Sequence, residues 1–72
     1  MKLRSFEQQN GYLFKFVFEN GEIKEADLKN LIGSYVDLSA LNTARIDFEW
    51  GCLEFKNGAV DIDSKTLYRY NG

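Results

Sequence analysis

The chain contains no histidine and no proline, and only one cysteine and one methionine. Without histidine it lacks the side chain best suited to proton transfer near neutral pH. The lone Cys52 therefore has no evident base to activate it as a nucleophile. No glycine-rich loop leads into a helix that could cradle a phosphate. These absences argue against an enzyme, and no cofactor is expected. A single cysteine cannot close an intramolecular disulfide, so the chain fits a reducing cytoplasm with Cys52 as a buried structural thiol. No apolar run approaches the roughly 20 residues that a spanning helix needs. The opening M-K-L-R-S-F is not followed by the apolar segment of a secretory signal, so no membrane partner is expected. A strong charge of either sign is also missing. Nine basic and eleven acidic side chains give a net charge of −2, and the basic residues, from Lys2 to Arg69, are spread singly. Phosphate binding calls for a cluster of them, which makes nucleic acid an unlikely main partner.

What is present is aromatic and strongly patterned. Six Phe, four Tyr and one Trp stand among 72 residues, enough for one domain (residues 1–72) and too few for two. A chain this short buries roughly 60% of the surface its unfolded form exposes, so large aromatic side chains have to supply much of the core. With no proline, turns fall to Gly and Asn, and three internal Asn-Gly pairs (Asn10-Gly11, Asn20-Gly21 and Asn57-Gly58) mark hairpins.

The stretch from Leu53 to Tyr68 organises the rest. Leu53 and Phe55 alternate with Glu54 and Lys56, the period-2 pattern of a strand with one buried face. A type I′ turn is expected at Asn57-Gly58, after which Val60 and Ile62 resume the alternation. Asp63 or Ser64 caps a short terminal helical turn that folds Leu67 back onto the hairpin. Upstream, Lys2 to Gln8 reads as a strand with Leu3 or Phe6 inward, according to register. Tyr12 to Phe18 reads as a central strand: Tyr12, Phe14, Phe16 and Phe18 share one face, while Leu13 and Val17 flank Lys15 on the other. Glu22 to Asp27 is an edge-like strand around Ile23. Asp27 then caps a short turn over Leu28, Leu31 and Ile32 that Gly33 ends, and Ser39 to Asn42 forms a second. Ala44, Ile46, Phe48 and Trp50 alternate with Arg45, Asp47 and Glu49, which predicts an amphipathic strand with Phe48 and Trp50 in the core. The expected architecture is α+β: two antiparallel β-meanders joined by a short, partly helical connector, with a short C-terminal helical turn.

Two segments resemble a known family. F-V-F-E-N-G-E-I-K-E-A-D-L, Phe16 to Leu28, is similar to the hairpin-then-Asp-Leu pattern of the short, mainly bacterial domain-of-unknown-function family numbered twenty-four forty-two. I-D-F-E-W-G-C-L-E-F-K-N-G-A-V-D-I-D-S-K-T-L-Y, Ile46 to Tyr68, resembles that family's ending. Phe55-Lys56 stand where the family has Trp-Pro, and Ser64 where it has Pro; both changes keep turn and cap chemistry. The resemblance implies an α+β fold without established enzymatic activity, and an antitoxin-like partnership with a small protein encoded alongside.

Among polar residues, Asp61-x-Asp63 is the sharpest feature, with Glu54, Asp47 and Glu49 on neighbouring strands. Residues two apart on a strand share a face, and such a face would steer a basic protein partner towards it. The spaced ligands of a calcium loop are absent, so no metal site is expected. Tyr68-Arg69-Tyr70 is the other candidate contact, with Tyr68 and Tyr70 either packed beside Leu67 or free to stack on a base. The expected function is therefore a non-enzymatic protein-interaction domain acting through a sheet edge or the acidic face, with Glu54, Asp61, Asp63, Tyr68 and Tyr70 as candidate contacts. The alternative is a small nucleic-acid-binding module. Because Tyr12 to Phe18 is apolar on both faces, a homodimer or a hetero-complex is expected in preference to a permanent monomer.

Overall fold

The computed structural model describes all 72 residues. Its first sheet is an antiparallel meander of β1 (Leu3–Asn10), β2 (Leu13–Phe18) and β3 (Ile23–Asp27), in that spatial order. The second is a smaller meander of β4 (Arg45–Asp47), β5 (Cys52–Phe55) and β6 (Val60–Ile62). Between them run the short helix α1 (Lys29–Ile32) and a 3₁₀ turn over Leu38–Thr43, and helix α2 (Ser64–Arg69) closes the chain. This is the α+β architecture that the turn signals and alternation predict.

The core lies where the inner faces of the sheets meet. Phe14, Phe16 and Phe18 are fully buried, as the period-2 pattern of β2 requires. The Phe14 ring stacks on Phe16 at 5.9 Å and meets Phe55 of the second sheet edge-on at 6.0 Å. These offset and edge-to-face arrangements are the ones that ring quadrupoles favour. Leu53, Ile62 and Leu67 cover the core from the second sheet and α2, and Leu28, Ile32, Val36 and Leu41 cover it from the connector.

Leu3 and Phe6 are three residues apart and would face opposite sides of a regular strand. Both point inward, Leu3 opposite Phe18 and Phe6 opposite Phe16, because the register shifts between Leu3 and Ser5. An extra residue in one strand flips the alternation, so the choice between Leu3 and Phe6 is resolved by using both. On the outer face of β2, Leu13, Lys15 and Val17 stay partly exposed.

Three local expectations need correction. Asp27 does accept a hydrogen bond from the Lys29 N–H (2.9 Å), but Gly33 keeps right-handed backbone angles, and the chain turns on to Val36, whose N–H donates to the Ile32 carbonyl. A Cβ at Gly33 would collide with the Lys29 carbonyl oxygen, so close approach is what requires glycine there. In the last hairpin Asn57 (57°) and Gly58 (88°) take the positive φ expected of the pair, but Lys56 (55°) joins them, and four residues rather than two separate the paired Phe55 and Val60. The Lys56 N–H donates to the Thr43 hydroxyl and its Nζ to the Tyr35 carbonyl, both at 2.8 Å. Those two bonds draw Lys56 out of the ladder towards the connector. The third correction has the largest consequence: β4 stops at Asp47, and Phe48 and Trp50 are 76% and 72% exposed rather than in the core. The Asp47 carboxylate accepts from the Glu49 N–H (3.0 Å) and its carbonyl accepts from the Gly51 N–H (2.6 Å). A side-chain turn of this kind ends a strand regardless of the alternation that follows it.

Candidate functional site: the outer face of the second sheet

The inward residues of β5, Leu53 and Phe55, leave Cys52 and Glu54 on its other side. Register places Arg45, Glu54 and Asp61 side by side across three strands, with Asp47 beside Cys52 one step along. The result is an acidic sheet face with one cation. Arg45 Nε donates to Glu54 Oε1 at 2.6 Å. Asp63 ends the face by capping α2: its carboxylate accepts from the Lys65 N–H at 3.0 Å. Ser64, next to it, is buried and donates its hydroxyl to the Met1 carbonyl, which ties the end of the chain to its beginning. Asp47, Trp50, Cys52, Asp61 and Asp63 together line a shallow open groove here.

The electrostatics of the groove are legible at its thiol. Burial, and then the carboxylates of Asp47, Asp61 and Glu54, push the Cys52 pKa up. Cys52 is half-buried on this outer face, so the expected core thiol is corrected in position. A thiol held protonated is a poor nucleophile, and the chain has no histidine to relieve it. Asp47, Cys52 and Glu54 bring ligand atoms within 4.8 Å of one another. To hold a cation they would have to break the Arg45–Glu54 pair and ionise a thiol that its neighbours keep protonated. Soft thiolate with hard carboxylate is also a mixed donor set.

The expected site residues fall into two groups. Glu54, Asp61 and Asp63 come together on this face. Tyr68 and Tyr70 do not join them: Tyr68 packs against the first sheet and Tyr70 against the shared core. The Tyr68 ring meets Phe18 edge-on at 5.3 Å, its carbonyl accepts from Lys24 Nζ at 2.7 Å, and Tyr70 packs on the core cluster. Interaction of the Tyr68 hydroxyl with the Glu22 carboxylate, followed by burial and the Glu22 charge, holds its pKa above the usual tyrosine range. Packed on Phe18 and beside the Glu22 carboxylate, Tyr68 sits in surroundings that do not favour a nucleic-acid base. Sequence alternation missed Phe48 and Trp50. The signal that could have exposed them is Asp47 followed four residues later by Gly51, a side-chain turn and a glycine bracketing the aromatics.

No family model matches the chain, and neither a search of curated proteins nor a search of solved structures finds a match. No helix is long and apolar enough to cross a membrane.

Proposed function

We propose that this chain is a non-enzymatic protein-interaction domain that docks a partner on the outer face of its second sheet. The observation that carries this reading is the meeting of a large exposed aromatic, Trp50, with the carboxylates of Asp47 and Asp61 in one groove, on a sheet face that Glu54 shares. Exposed rings at the centre of a charged surface are what protein interfaces bury. A nucleic-acid module would need the opposite sign of charge at its aromatic site. Against catalysis stand a thiol pushed towards its protonated form and the lack of a histidine to act as its base. The antitoxin-like role implied by the family resemblance is one form of this reading, set in the cytoplasm, with the adjacent gene's product as partner. Co-expression of the two chains, followed by hydrogen exchange on the complex, tests it. Protection at Phe48–Glu54 and Asp61 supports the reading, and a complex that leaves those amides unprotected refutes it.

Self-association is the second reading, favoured by one observation. Val17 and the 62% exposed Ile23 lie opposite each other on the outer face of the first sheet, with Leu13 further along the same strand. Charged Lys15 and Glu25 interrupt that row, so the surface is a smaller apolar patch than the sequence suggests. The solution mass over a range of concentrations decides it.

A further inference from the structure

Trp50 stands with its ring mostly in water, yet it lines the same groove as Asp47, Asp61 and Asp63. Charge on this surface is strongly uneven. Four carboxylates, Asp47, Glu54, Asp61 and Asp63, share it with one guanidinium, so it carries −3. The remaining seven acidic and eight basic side chains leave the rest of the chain at +1. The carboxylates that strand register and the groove bring together thus outnumber the one guanidinium among them, and Trp50 lines the groove with three of them. The chain also shows what this face accepts, because Arg45 already lays its guanidinium against Glu54 across two of the strands.

From this the geometry points to an arginine-bearing segment of a partner protein as the occupant of the face, with a guanidinium stacked on Trp50 and paired to the carboxylates of Asp61 and Asp47. The inference rests on the proposed docking function and adds the chemistry of the partner. Guanidinium is planar and weakly hydrated: it stacks on an aromatic face and presents a fork that matches a carboxylate. An ammonium meets the same charge as a compact, strongly hydrated point and loses the stacking plane. Arginine is therefore preferred to lysine at equal charge.

Trp50 is the single tryptophan and reports directly. The test titrates the 72-residue chain with hexa-arginine, hexalysine and hexaglutamate peptides, following Trp50 emission and backbone amide shifts. Hexa-arginine is expected to change the emission, to shift the amides of Trp50–Glu54 and Asp61, and to bind several-fold more tightly than hexalysine. Trp50→Ala, followed by amide shifts, weakens hexa-arginine about two- to fivefold and leaves hexalysine unchanged. Asp61→Asn weakens both by up to about fivefold. Far-UV circular dichroism shows that each variant is folded, as substitutions at these exposed positions allow. Equal affinity for the two cationic peptides, with no effect of Trp50→Ala, overturns the arginine inference and leaves the acidic docking surface standing. Shifts on another face, no binding at millimolar peptide, or equal binding of hexaglutamate overturn the inference outright. The hydrogen-exchange footprint of the complex then judges the docking function separately.

Discussion

Gly51 joins the two sheets, and replacing it with alanine should cost much more than the same change at another left-handed glycine. Its φ is +71°, and its carbonyl accepts the Leu3 N–H at 2.9 Å, which pins the start of β1 to the turn after β4. A left-handed alanine costs about 1 kcal/mol. At Gly51 a Cβ would also collide with the Lys2 Cβ and lie 2.8 Å from Lys2 Cα. Part of that obstacle is main chain, so the strand start itself has to move. Displacing it forfeits the Leu3 hydrogen bond, worth about 1 kcal/mol, and loosens the buried Leu3 side chain. The sum is about 2–3 kcal/mol, a large part of the roughly 4–11 kcal/mol expected for a domain of this length. Gly21 is the control: its φ is +88°, and an added methyl there would meet nothing within 4 Å, so Gly21→Ala should cost only the backbone term of about 1 kcal/mol. Thermal unfolding followed by circular dichroism reads the difference. In a domain of this size 1 kcal/mol moves Tm by about 4–8 °C, so Gly51→Ala should melt about 10–20 °C below the parent and well below Gly21→Ala. Equal melting of the two variants would show that the Lys2–Gly51 approach does not hold the sheets together.

Other expectations follow from the same geometry. Leu67→Ala empties a fully buried site between α2 and the sheets and should cost about 3 kcal/mol in chemical denaturation, whereas Phe48→Ser should stay within about 0.5 kcal/mol; a large loss from Phe48→Ser would mean that the ring is packed. Cys52 should react with iodoacetamide at neutral pH more slowly than an exposed model thiol, because burial and the facing carboxylates disfavour its thiolate, and Asp47→Asn should quicken the reaction. The Tyr68 pKa is raised in the folded chain by its interaction with the Glu22 carboxylate. The stability this interaction contributes is fully present below the unfolded tyrosine value of about 10 and is lost as pH rises through the folded value. A spectrophotometric titration should find one tyrosine ionising late and Glu22→Gln bringing it earlier; four tyrosines ionising together in the parent would contradict this.

Much of this fold is legible in the sequence because period-2 alternation and turn chemistry agree along most of it. Phe14, Phe16 and Phe18 are inward as their spacing demands, and Asp63 caps the helix that its position announces. The failures come where a local hydrogen bond overrides periodicity. Ala44, Ile46, Phe48 and Trp50 continue an unbroken alternation, but the Asp47 side chain captures the Glu49 N–H and ends the strand, and two apolar residues that look like core become surface. Leu3 and Phe6 are illegible for a related reason: a bulge is a property of the pair of strands, and neither strand's sequence shows it alone. The acidic half of the site was readable, since Glu54, Asp61 and Asp63 follow from alternation and capping. Its aromatic half was hidden by the very pattern that made Trp50 look buried. Tyr68, close in sequence to the acidic residues, is carried to the first sheet by the direction of α2, which depends on Leu67 finding the core.

The docking surface depends on Trp50 standing in water beside the carboxylates, and acrylamide quenching of its fluorescence in the free chain tests this most directly. Emission at the wavelength of indole in water is expected, with quenching nearly as efficient as that of a free tryptophan derivative. Blue-shifted emission with weak quenching would put the ring in the core and remove the anchor on which the proposed docking surface rests.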